Sequence, residues 1–255
     1  MSKQTVSEVR ALLATIDNLT DPRLAELAAD DRKGVQAALR QHQRRVERQQ
    51  AARQAFQQRF NYERQLWQSG CRYIAGMDEV GRGPLAGPVV TCAVILEPDF
   101  DLIGVTDSKQ LTRHEREQLY LRIVDEAVEV SIAVNDRETI DRLNIYAATQ
   151  DAMMRAVRNL NHRPDHLIVD AVPLPFDYPQ TTLIKGDQKS ISVAAASIVA
   201  KEYRDHLMKD YDRVYPGYGF AENMGYGTKE HLAGLARIGA CPIHRRSFNP
   251  VPKYL

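Results

Sequence analysis

The sequence predicts an α/β fold, a mixed β-sheet flanked by helices, preceded by an all-helical N-terminal extension. In residues 1–70 the apolar side chains recur at helical spacing. From Cys71 onward, short apolar runs typical of strands alternate with stretches typical of helices. The first two runs are joined by a tight glycine-rich turn, so we expect them to pair antiparallel. We therefore predict two domains, residues 1–70 and residues 71–255, of which the second carries the sheet and ends in a helical part.

Three helices are predicted in the extension from their start signals. Thr5-x-x-Glu8 is a capping-box pattern, and Asp21-Pro22 combines an N-cap with the residue favoured at the first helical position. Asp30-Asp31 precedes a third helix, which we expect to run toward Trp67. The extension should end at Ser69-Gly70, where the helical spacing of apolar residues gives way to short runs typical of strands.

The third predicted helix is rich in arginine. Between Val35 and Gly70 the chain has seven arginines against two glutamates. One interpretation is a solvated helix face, which is common for a charged run. The other is a surface that contacts a substrate backbone or a protein partner, because clustered positive charge attracts anions. The sequence leaves both interpretations open.

The second domain contains five apolar runs of strand type and four helical stretches. The predicted strands are Tyr73–Asp78, Val89–Leu96, Glu129–Val134, His166–Asp170 and Thr181–Lys185. The predicted helices are Thr112–Ala127, Arg137–Asn159, one that opens at Ser190, and Thr228–Ile238. In the second of these helices the expected buried side chains are Ile140, Leu143, Ala147, Met154 and Val157. Ser197, on the helix that opens at Ser190, is expected to pack. The tail from Cys241 should be extended and docked.

Composition and cysteine content limit the class of protein. The chain has 255 residues, 44% apolar and 26% charged, which suits one core with or without an appendage. Its net charge of +1 gives no information about a nucleic-acid partner. Cys71, Cys92 and Cys241 form no CxxC pair, so we expect a reduced cytoplasmic protein without disulfides. We expect no membrane span, because the longest uncharged apolar run, Gly83–Leu96, is short and holds two prolines. We expect no secretory signal, because Glu8 and Arg10 lie within the first apolar segment.

The turn between the first two strands carries the most informative residues. Asp78 and Glu79 stand where a buried apolar run stops, and carboxylates are costly there without a cation or another partner. Gly81 and Gly83 allow the strand to end and allow backbone to approach a ligand closely. Arg82 between them supplies a positive charge for an anion. The alternative is a polar surface turn in which the acids pair with Arg82.

Two further acids follow predicted strands. Asp170 ends the fourth strand, and Asp187 follows the fifth. Ligands of open α/β sheets bind beyond the strand ends, so we expect these acids to meet Asp78 and Glu79 there. Grouped carboxylates repel one another unless cations neutralise them. Oxygen ligands without nearby Cys or His favour Mg²⁺ or Mn²⁺ over Zn²⁺.

Seven motifs occur together over residues 71–250. They are Asp78-Glu79-x-Gly81-Arg82-Gly83, Asp107-Ser108-Lys109, Asp170, Lys185-Gly186-Asp187-x-Lys189, Ala194-Ala-Ala-Ser197-Ile-x-Ala-Lys201, Gly225-Tyr226-Gly-Thr228-x-x-His231 and His244-Arg245-x-Ser247-Phe248. This set, in this order, closely resembles the type 2 ribonucleases H, and ribonuclease HII in particular. The Gly-Arg-Gly form and the helical extension favour ribonuclease HII over its sister, ribonuclease HIII.

The resemblance implies the five-stranded ribonuclease H fold and assigns roles to residues. The implied catalytic and metal-binding acids are Asp78, Glu79, Asp170 and Asp187. The implied contacts to ribose 2′-hydroxyls come from the backbone of Gly81, Arg82 and Gly83 and from Tyr226, which senses an RNA–DNA junction. The residues expected near substrate phosphates are Ser108, Lys109, Lys189 and Ser190.

The function implied is a Mg²⁺- or Mn²⁺-dependent endoribonuclease. It would hydrolyse RNA in RNA/DNA hybrids and cut 5′ of ribonucleotides embedded in duplex DNA, leaving 5′-phosphate and 3′-hydroxyl ends. A non-catalytic nucleic-acid-binding protein is disfavoured, because acids facing phosphates weaken binding. A nuclease for DNA alone is disfavoured by the implied 2′-hydroxyl contacts. We expect a monomer, and the role of the extension stays open.

Overall fold

The computed structural model describes residues 4–175 and 177–255. The chain divides into two compact units, the first ending at Gln57 and the second beginning at Gln58. This division lies earlier in the chain than the boundary predicted at Ser69-Gly70. Within the described residues, no helix is long and apolar enough to cross a membrane.

The first unit is helical and has its own small core. Its helices are α1 (Val6–Ala14), α2 (Pro22–Ala28) and α3 (Lys33–Arg59), of which the last continues into the second unit. The capping box of Thr5 and Glu8 is present, and Asp21 caps α2 through the amide of Arg23. The buried residues of the core are Val9, Leu13, Ile16, Val35 and Ala38.

The second unit contains the five-stranded sheet, as predicted. Its strands are β1 (Ile74–Val80), β2 (Val89–Ile95), β3 (Glu129–Asn135), β4 (His166–Asp170) and β5 (Gln180–Leu183). Their order across the sheet is β3-β2-β1-β4-β5. The pairs β3/β2 and β2/β1 are antiparallel, whereas β1/β4 and β4/β5 are parallel, so the sheet is mixed.

Helices cover both faces of the sheet. The helices of this unit are α4 (Asn61–Gln68), α5 (Arg113–Glu126), α6 (Arg137–Leu143), α7 (Ile145–Arg158), α8 (Ile191–Val214), α9 (Phe220–Asn223) and α10 (Lys229–Ile238). On one face Ala75 and Met77 pack with Met153 of α7. On the other face α8 lies against Gly76, where a Cβ would stand 2.2 Å from the Ser192 carbonyl carbon. The alternation of side chains along β1 thus separates the two layers.

One predicted helix is broken, and the prediction of a continuous helix over Arg137–Asn159 is wrong. Asn144 has φ of +68° and ends α6. It also caps α7, because its Oδ1 accepts hydrogen bonds from the amides of Tyr146 and Ala147. Asparagine suits this position because its side chain can cap a helix and it tolerates positive φ better than most residues. The break resets the helical phase, so the fully buried residues of α7 are Ala148, Thr149, Ala152, Met153, Ala156 and Val157. Of the residues predicted to be buried, Leu143, Ala147 and Met154 are only partly so.

The third predicted helix also stops before Trp67. Helix α3 ends at Arg59, and α4 begins at Asn61. The chain turns at Phe60, whose buried ring lies 6.1 Å from the ring of Trp67. The consequence is that α4 belongs to the second unit, together with the sheet.

The C-terminal tail is docked along the glycine-rich loop. His244 forms a β-bridge with Ala86, and the amide of Gly87 donates to Ile243 O at 2.9 Å. The tail ends in a 3-10 turn over Val251–Tyr254. These contacts join the C-terminal tail to the loop that follows β1.

Candidate active site

Asp78 and Glu79 lie at the end of β1, next to the glycine-rich loop. Successive strand residues face opposite sides of a sheet, and Asp78, like Gly76, faces α8. Only 7% of Asp78 is exposed, and its Oδ1 accepts a hydrogen bond from the Glu79 amide at 2.7 Å. Ser197 was expected merely to pack, but it lines the same cavity as Asp78.

Glu79 has one carboxylate oxygen in an ion pair and one without a partner. Its Oε1 lies 3.2 Å from Arg82 Nη1. Its Oε2 is buried and accepts no hydrogen bond from any residue that the structure describes. A buried carboxylate oxygen without a donor is costly unless a cation or a ligand satisfies it. The pairing with Arg82 therefore satisfies one of the two carboxylate oxygens and leaves the other without a partner among the described residues.

The parallel strands bring Asp170 and Asp187 to the same edge of the sheet. Met77 and Val169 are register partners in β1 and β4, so Asp170 ends its strand beside Asp78. Asp170 Oδ1 accepts a 2.7 Å hydrogen bond from Gly186 N in the turn after β5. Asp187 follows in this turn and is 6% exposed. The predicted meeting of acids at strand ends thus follows from the β1/β4 and β4/β5 pairings.

Burial and repulsion perturb these carboxyl groups. Burial, followed by the charges of Glu79 and Asp170, raises the pKa of Asp78 well above its ordinary value. Burial likewise raises the pKa of Glu79, against the opposing effect of a neighbouring arginine. The pKa of Asp187 is raised by burial and by the charges of Asp107 and Asp170. Such a cluster is hard to ionise fully without a counter-charge.

A cavity of about 290 Å³ connects the carboxylates with several predicted substrate contacts. Its lining residues are Asp78, Glu79, Val80, Ser108, Lys109, Asp170, Ser197, Lys201 and Tyr226. Asp187 does not line this cavity but interacts electrostatically with Asp170. Lys201 also forms an ion pair with Asp205 at 2.7 Å. The structure therefore brings together residues from β1, β4, α8 and two loops.

The segment Asp107–Lys109 contributes an acid that sequence reasoning did not assign to the site. Asp107 is buried, and its Oδ1 accepts a hydrogen bond from Lys109 N at 2.9 Å. Its charge raises the pKa of Asp187, so the two carboxylates are neighbours. In the sequence, its place in the motif Asp107-Ser108-Lys109 was the feature that could have assigned it to the site. Ser108 Oγ lies 2.9 Å from Ser197 Oγ, and Lys109 is exposed at the cavity.

Tyr226 lies beside the glycine-rich loop. A Cβ added to Gly83 would stand 3.4 Å from Tyr226 Cε1, which is ordinary contact distance, so the ring lies next to this glycine. Tyr226 is 48% exposed although it lines the cavity. Gly225, with φ of +83°, approaches Ala86 O so closely that a Cβ would lie 2.4 Å away. The two loops are therefore packed together and present an aromatic face next to the Gly81-Arg82-Gly83 backbone.

Ser190 and Lys189 lie apart from these contacts. Ser190 is fully buried, caps α8 through Val193 N and donates a 2.5 Å hydrogen bond to Glu63 Oε1. The prediction concerned the free amides at this helix N-terminus. In the structure the amides of Ser192 and Val193 donate to Glu63 Oε1 and to Ser190 Oγ. Lys189 is exposed and does not line the cavity.

Glu63 is a second residue that sequence reasoning missed. It is 1% exposed on α4, and its Oε1 also accepts hydrogen bonds from Ser192 Oγ at 2.6 Å and Ser192 N at 3.1 Å. A carboxylate at a helix N-terminus stabilises the free amides there. Glu63 thus anchors the start of α8, immediately after the turn that carries Asp187. In the sequence it looked like one more charge on a polar helix.

The residues present fit a divalent cation. The donors at the cavity are carboxylate oxygens, which Mg²⁺ and Mn²⁺ prefer, and Glu79 has a buried oxygen without a partner. Within residues 4–175 and 177–255, no three acidic, His or Cys side chains already surround one point as ligands. Binding would thus involve adjustment of side-chain rotamers around the cavity.

Comparison with known proteins agrees with this geometry. The sequence model described as ribonuclease HII matches residues 75–251, and the model of the ribonuclease HII N-terminal domain matches residues 5–67. In structure, the chain resembles the ribonuclease H2 of Pyrococcus horikoshii OT3. The TM-score is 0.63 at 26% identity, over 72% of this chain and 97% of that one.

Two curated relatives match over essentially their whole length. The ribonuclease HII of Limosilactobacillus reuteri is 76% identical over 255 residues, which is 100% of both chains. That of Levilactobacillus brevis is 60% identical over 256 residues, covering 100% of this chain and 99% of the other. The chain therefore belongs to the ribonuclease HII family, and it is a hydrolase, an endoribonuclease of ribonuclease H type.

Proposed function

We propose that this endonuclease depends on Mg²⁺ or Mn²⁺ and acts both on RNA in RNA/DNA hybrids and on ribonucleotides embedded in duplex DNA. It cuts on the 5′ side of a ribonucleotide and leaves 5′-phosphate and 3′-hydroxyl ends. The observation that carries the proposal is the shared cavity, where Asp78, Glu79 and Asp170 meet an exposed Tyr226.

The carboxylates are proposed as the cation ligands, with Asp187 completing the set of four. Two bound divalent ions would activate a water and neutralise the leaving oxygen of a phosphodiester. Asp78 accepts a hydrogen bond from the amide of Glu79, and Asp170 accepts one from the amide of Gly186. These contacts orient the carboxylates before substrate arrives, which is what precise placement of a scissile phosphate requires. Lys109 is exposed at the cavity, and we propose that it holds a substrate phosphate.

Recognition of ribose is proposed for the loop that follows β1 and for Tyr226. The 2′-hydroxyl distinguishes RNA from DNA at a given site. The backbone of Gly83 lies beside Tyr226, whose phenol offers a ring face and a hydrogen-bonding group. This combination supports selection of a ribonucleotide at the cleavage position.

The test is cleavage of a DNA duplex that contains one ribonucleotide, in the presence of Mg²⁺, of Mn²⁺ or of EDTA. We expect a single cut 5′ of the ribonucleotide with either metal and none in EDTA, because without a divalent ion the site cannot activate a water or neutralise the leaving oxygen. End-labelling identifies the product termini, and an all-DNA duplex is the control. Cleavage in EDTA, or cleavage of the all-DNA duplex, would contradict the proposal.

A second prediction concerns the basic face of α3 in the first unit. Arg40, Arg44 and Arg48 are exposed and spaced one helical turn apart. If this face holds the backbone of the substrate, the triple change to glutamine should raise KM. It should also reduce the slope of log affinity against log salt by roughly 0.9 for each phosphate that the arginines no longer neutralise.

The measurement is the KM for a ribonucleotide-containing duplex at several salt concentrations. Arg122→Gln, an exposed arginine on α5, is the matched control for loss of surface charge. An unchanged KM and an unchanged salt slope in the triple variant would mean that the arginines of α3 are only solvated.

A further inference from the structure

Two arginines behind the glycine-rich loop are fully buried. Arg204 on α8 and Arg245 in the C-terminal tail both have 0% exposure. Within the described part of the chain, neither lies within 4.0 Å of a carboxylate oxygen. Burial of a charge without a counter-ion costs folding free energy. Groups other than carboxylates must therefore satisfy these two guanidiniums.

Backbone carbonyls take the place of the counter-ion. Arg204 donates from Nε to Pro88 O at 2.9 Å, from Nη2 to Ala86 O at 3.2 Å and from Nη1 to Met224 O at 2.9 Å. Because Met224 precedes the Gly225-Tyr226 pair, Arg204 connects the loop after β1 with the loop that carries the tyrosine. Its guanidinium fork is well matched to several fixed acceptors at once.

Arg245 holds the other half of the same loop. Its Nη2 donates to Gly81 O and to Gly87 O, its Nε donates to Gly87 O at 3.0 Å, and its Nη1 donates to Arg82 O at 2.9 Å. The backbone of Arg245 joins this network as well, because its amide donates to Leu85 O at 2.8 Å. The two guanidiniums therefore draw most carbonyls of the Gly81–Pro88 loop toward the protein interior.

The amides of the loop show the complementary pattern. Among the described residues, the N–H groups of Gly81, Arg82 and Gly83 have no backbone acceptor outside regular secondary structure, and no side chain accepts from them. Gly81 has φ of +94°, and a Cβ there would lie 2.3 Å from Arg204 Nε. The guanidinium thus requires a glycine at this point, and the amides are left for a ligand.

We propose that Arg204 and Arg245 are positioning residues for ribose recognition, which hold the carbonyls of the Gly81–Pro88 loop inward so that its amides face the substrate. The inference rests on the proposed function, in which this loop reads the 2′-hydroxyl. It adds that the selectivity depends on two side chains that never touch the nucleic acid. Fixed donors need no rearrangement when the substrate binds, which favours tight and selective recognition.

The first test compares Arg204→Lys and Arg245→Lys with the wild-type enzyme. Lysine keeps the charge but cannot donate to three fixed carbonyls in a plane. We expect single-turnover cleavage at one embedded ribonucleotide to fall roughly 10- to 100-fold, which is the cost of a misplaced binding group. The concentration of Mn²⁺ that gives half-maximal rate should stay unchanged, because the carboxylates keep their own contacts.

Arg155→Lys is the matched control. Arg155 on α7 also donates from its guanidinium to a backbone carbonyl, Val134 O at 2.7 Å, but it does not line the active-site cavity. It should retain the wild-type rate. Folded Arg204→Lys and Arg245→Lys enzymes with a wild-type rate would overturn the inference. So would a rate loss that comes entirely from a shifted Mn²⁺ requirement.

A measurement on the unaltered chain covers the case in which the lysine variants do not fold. Amide hydrogen exchange at Gly81, Arg82 and Gly83 should be fast in the free enzyme and slow when a duplex with one ribonucleotide binds in EDTA. An all-DNA duplex should protect these amides less. Slow exchange in the free enzyme would overturn the inference. Failure of the proposed function is distinct, since the wild-type enzyme would then not cut the single-ribonucleotide duplex at all.

Discussion

Asp78→Asn is expected to abolish cleavage while the protein still folds. Asp78 lines the cavity, interacts electrostatically with Glu79 and Asp170, and accepts a hydrogen bond from the amide of Glu79. Loss of one of the proposed cation ligands should remove several kcal/mol of transition-state stabilisation. We therefore expect a rate loss on the order of 1,000-fold or more. The measurement is single-turnover cleavage of an RNA/DNA hybrid with saturating Mg²⁺ and with saturating Mn²⁺.

The stability of the same variant follows from the sign of the pKa shift. The pKa of Asp78 is raised in the folded state, so above the ordinary carboxyl pKa the unfolded chain ionises more readily and folding is disfavoured. Removal of the charge should leave the free energy of unfolding unchanged or increase it at neutral pH in EDTA. The benefit should vanish below the ordinary carboxyl pKa.

Asp210→Asn is the control for loss of a carboxylate, because Asp210 is exposed on α8 and, among the described residues, pairs with Arg213 alone. It should keep full activity. A purified, folded Asp78→Asn enzyme with full activity would refute the proposed cation centre, whereas an unfolded one would show that the buried carboxylate is structural.

Tyr226→Ala is expected to have the next largest effect, on substrates with a single embedded ribonucleotide. The ring is half-exposed beside Gly83 and lines the cavity, so it is available to stack on a substrate sugar. Stacking of an aromatic side chain on a nucleotide contributes about 1–3 kcal/mol, so the rate should fall roughly 5- to 150-fold. Tyr226→Phe keeps the ring and should show the smaller loss that comes from the hydroxyl alone.

Thr228→Ala is the matched control for disturbance of this loop. Thr228 caps α10 through His231 N, so the change costs about 1 kcal/mol of stability but leaves the tyrosine in place. Single-turnover cleavage and thermal unfolding with Mn²⁺ should be measured for all three variants. If Tyr226→Ala cuts at the wild-type rate, or loses activity only because it unfolds, Tyr226 has no role in sensing the junction.

The elements of the sheet and the helix starts were predictable because their causes are local. Apolar runs predicted all five strands, and the capping pattern of Thr112 and Glu115 predicted the start of α5. The break at Asn144 was missed because apolar residues at helical spacing stand on both sides of it, although the buried face changes there. A single residue with positive φ ends a helix without altering the composition around it.

The strands, the helix starts, the acids at strand ends and the family resemblance all follow from the amino-acid sequence, since each depends on neighbouring residues or on motif order. Which groups meet depends on long-range packing instead. Parallel pairing of β1 with β4 brings Asp170 to Asp78, and Asp107 joins Asp187 from a distant loop. The role of Glu63 at the start of α8 had no signal in the sequence, and Arg245 was marked only by its place in the motif His244-Arg245-x-Ser247-Phe248. A charged side chain is expected at the surface unless tertiary packing removes it from water and supplies its partners.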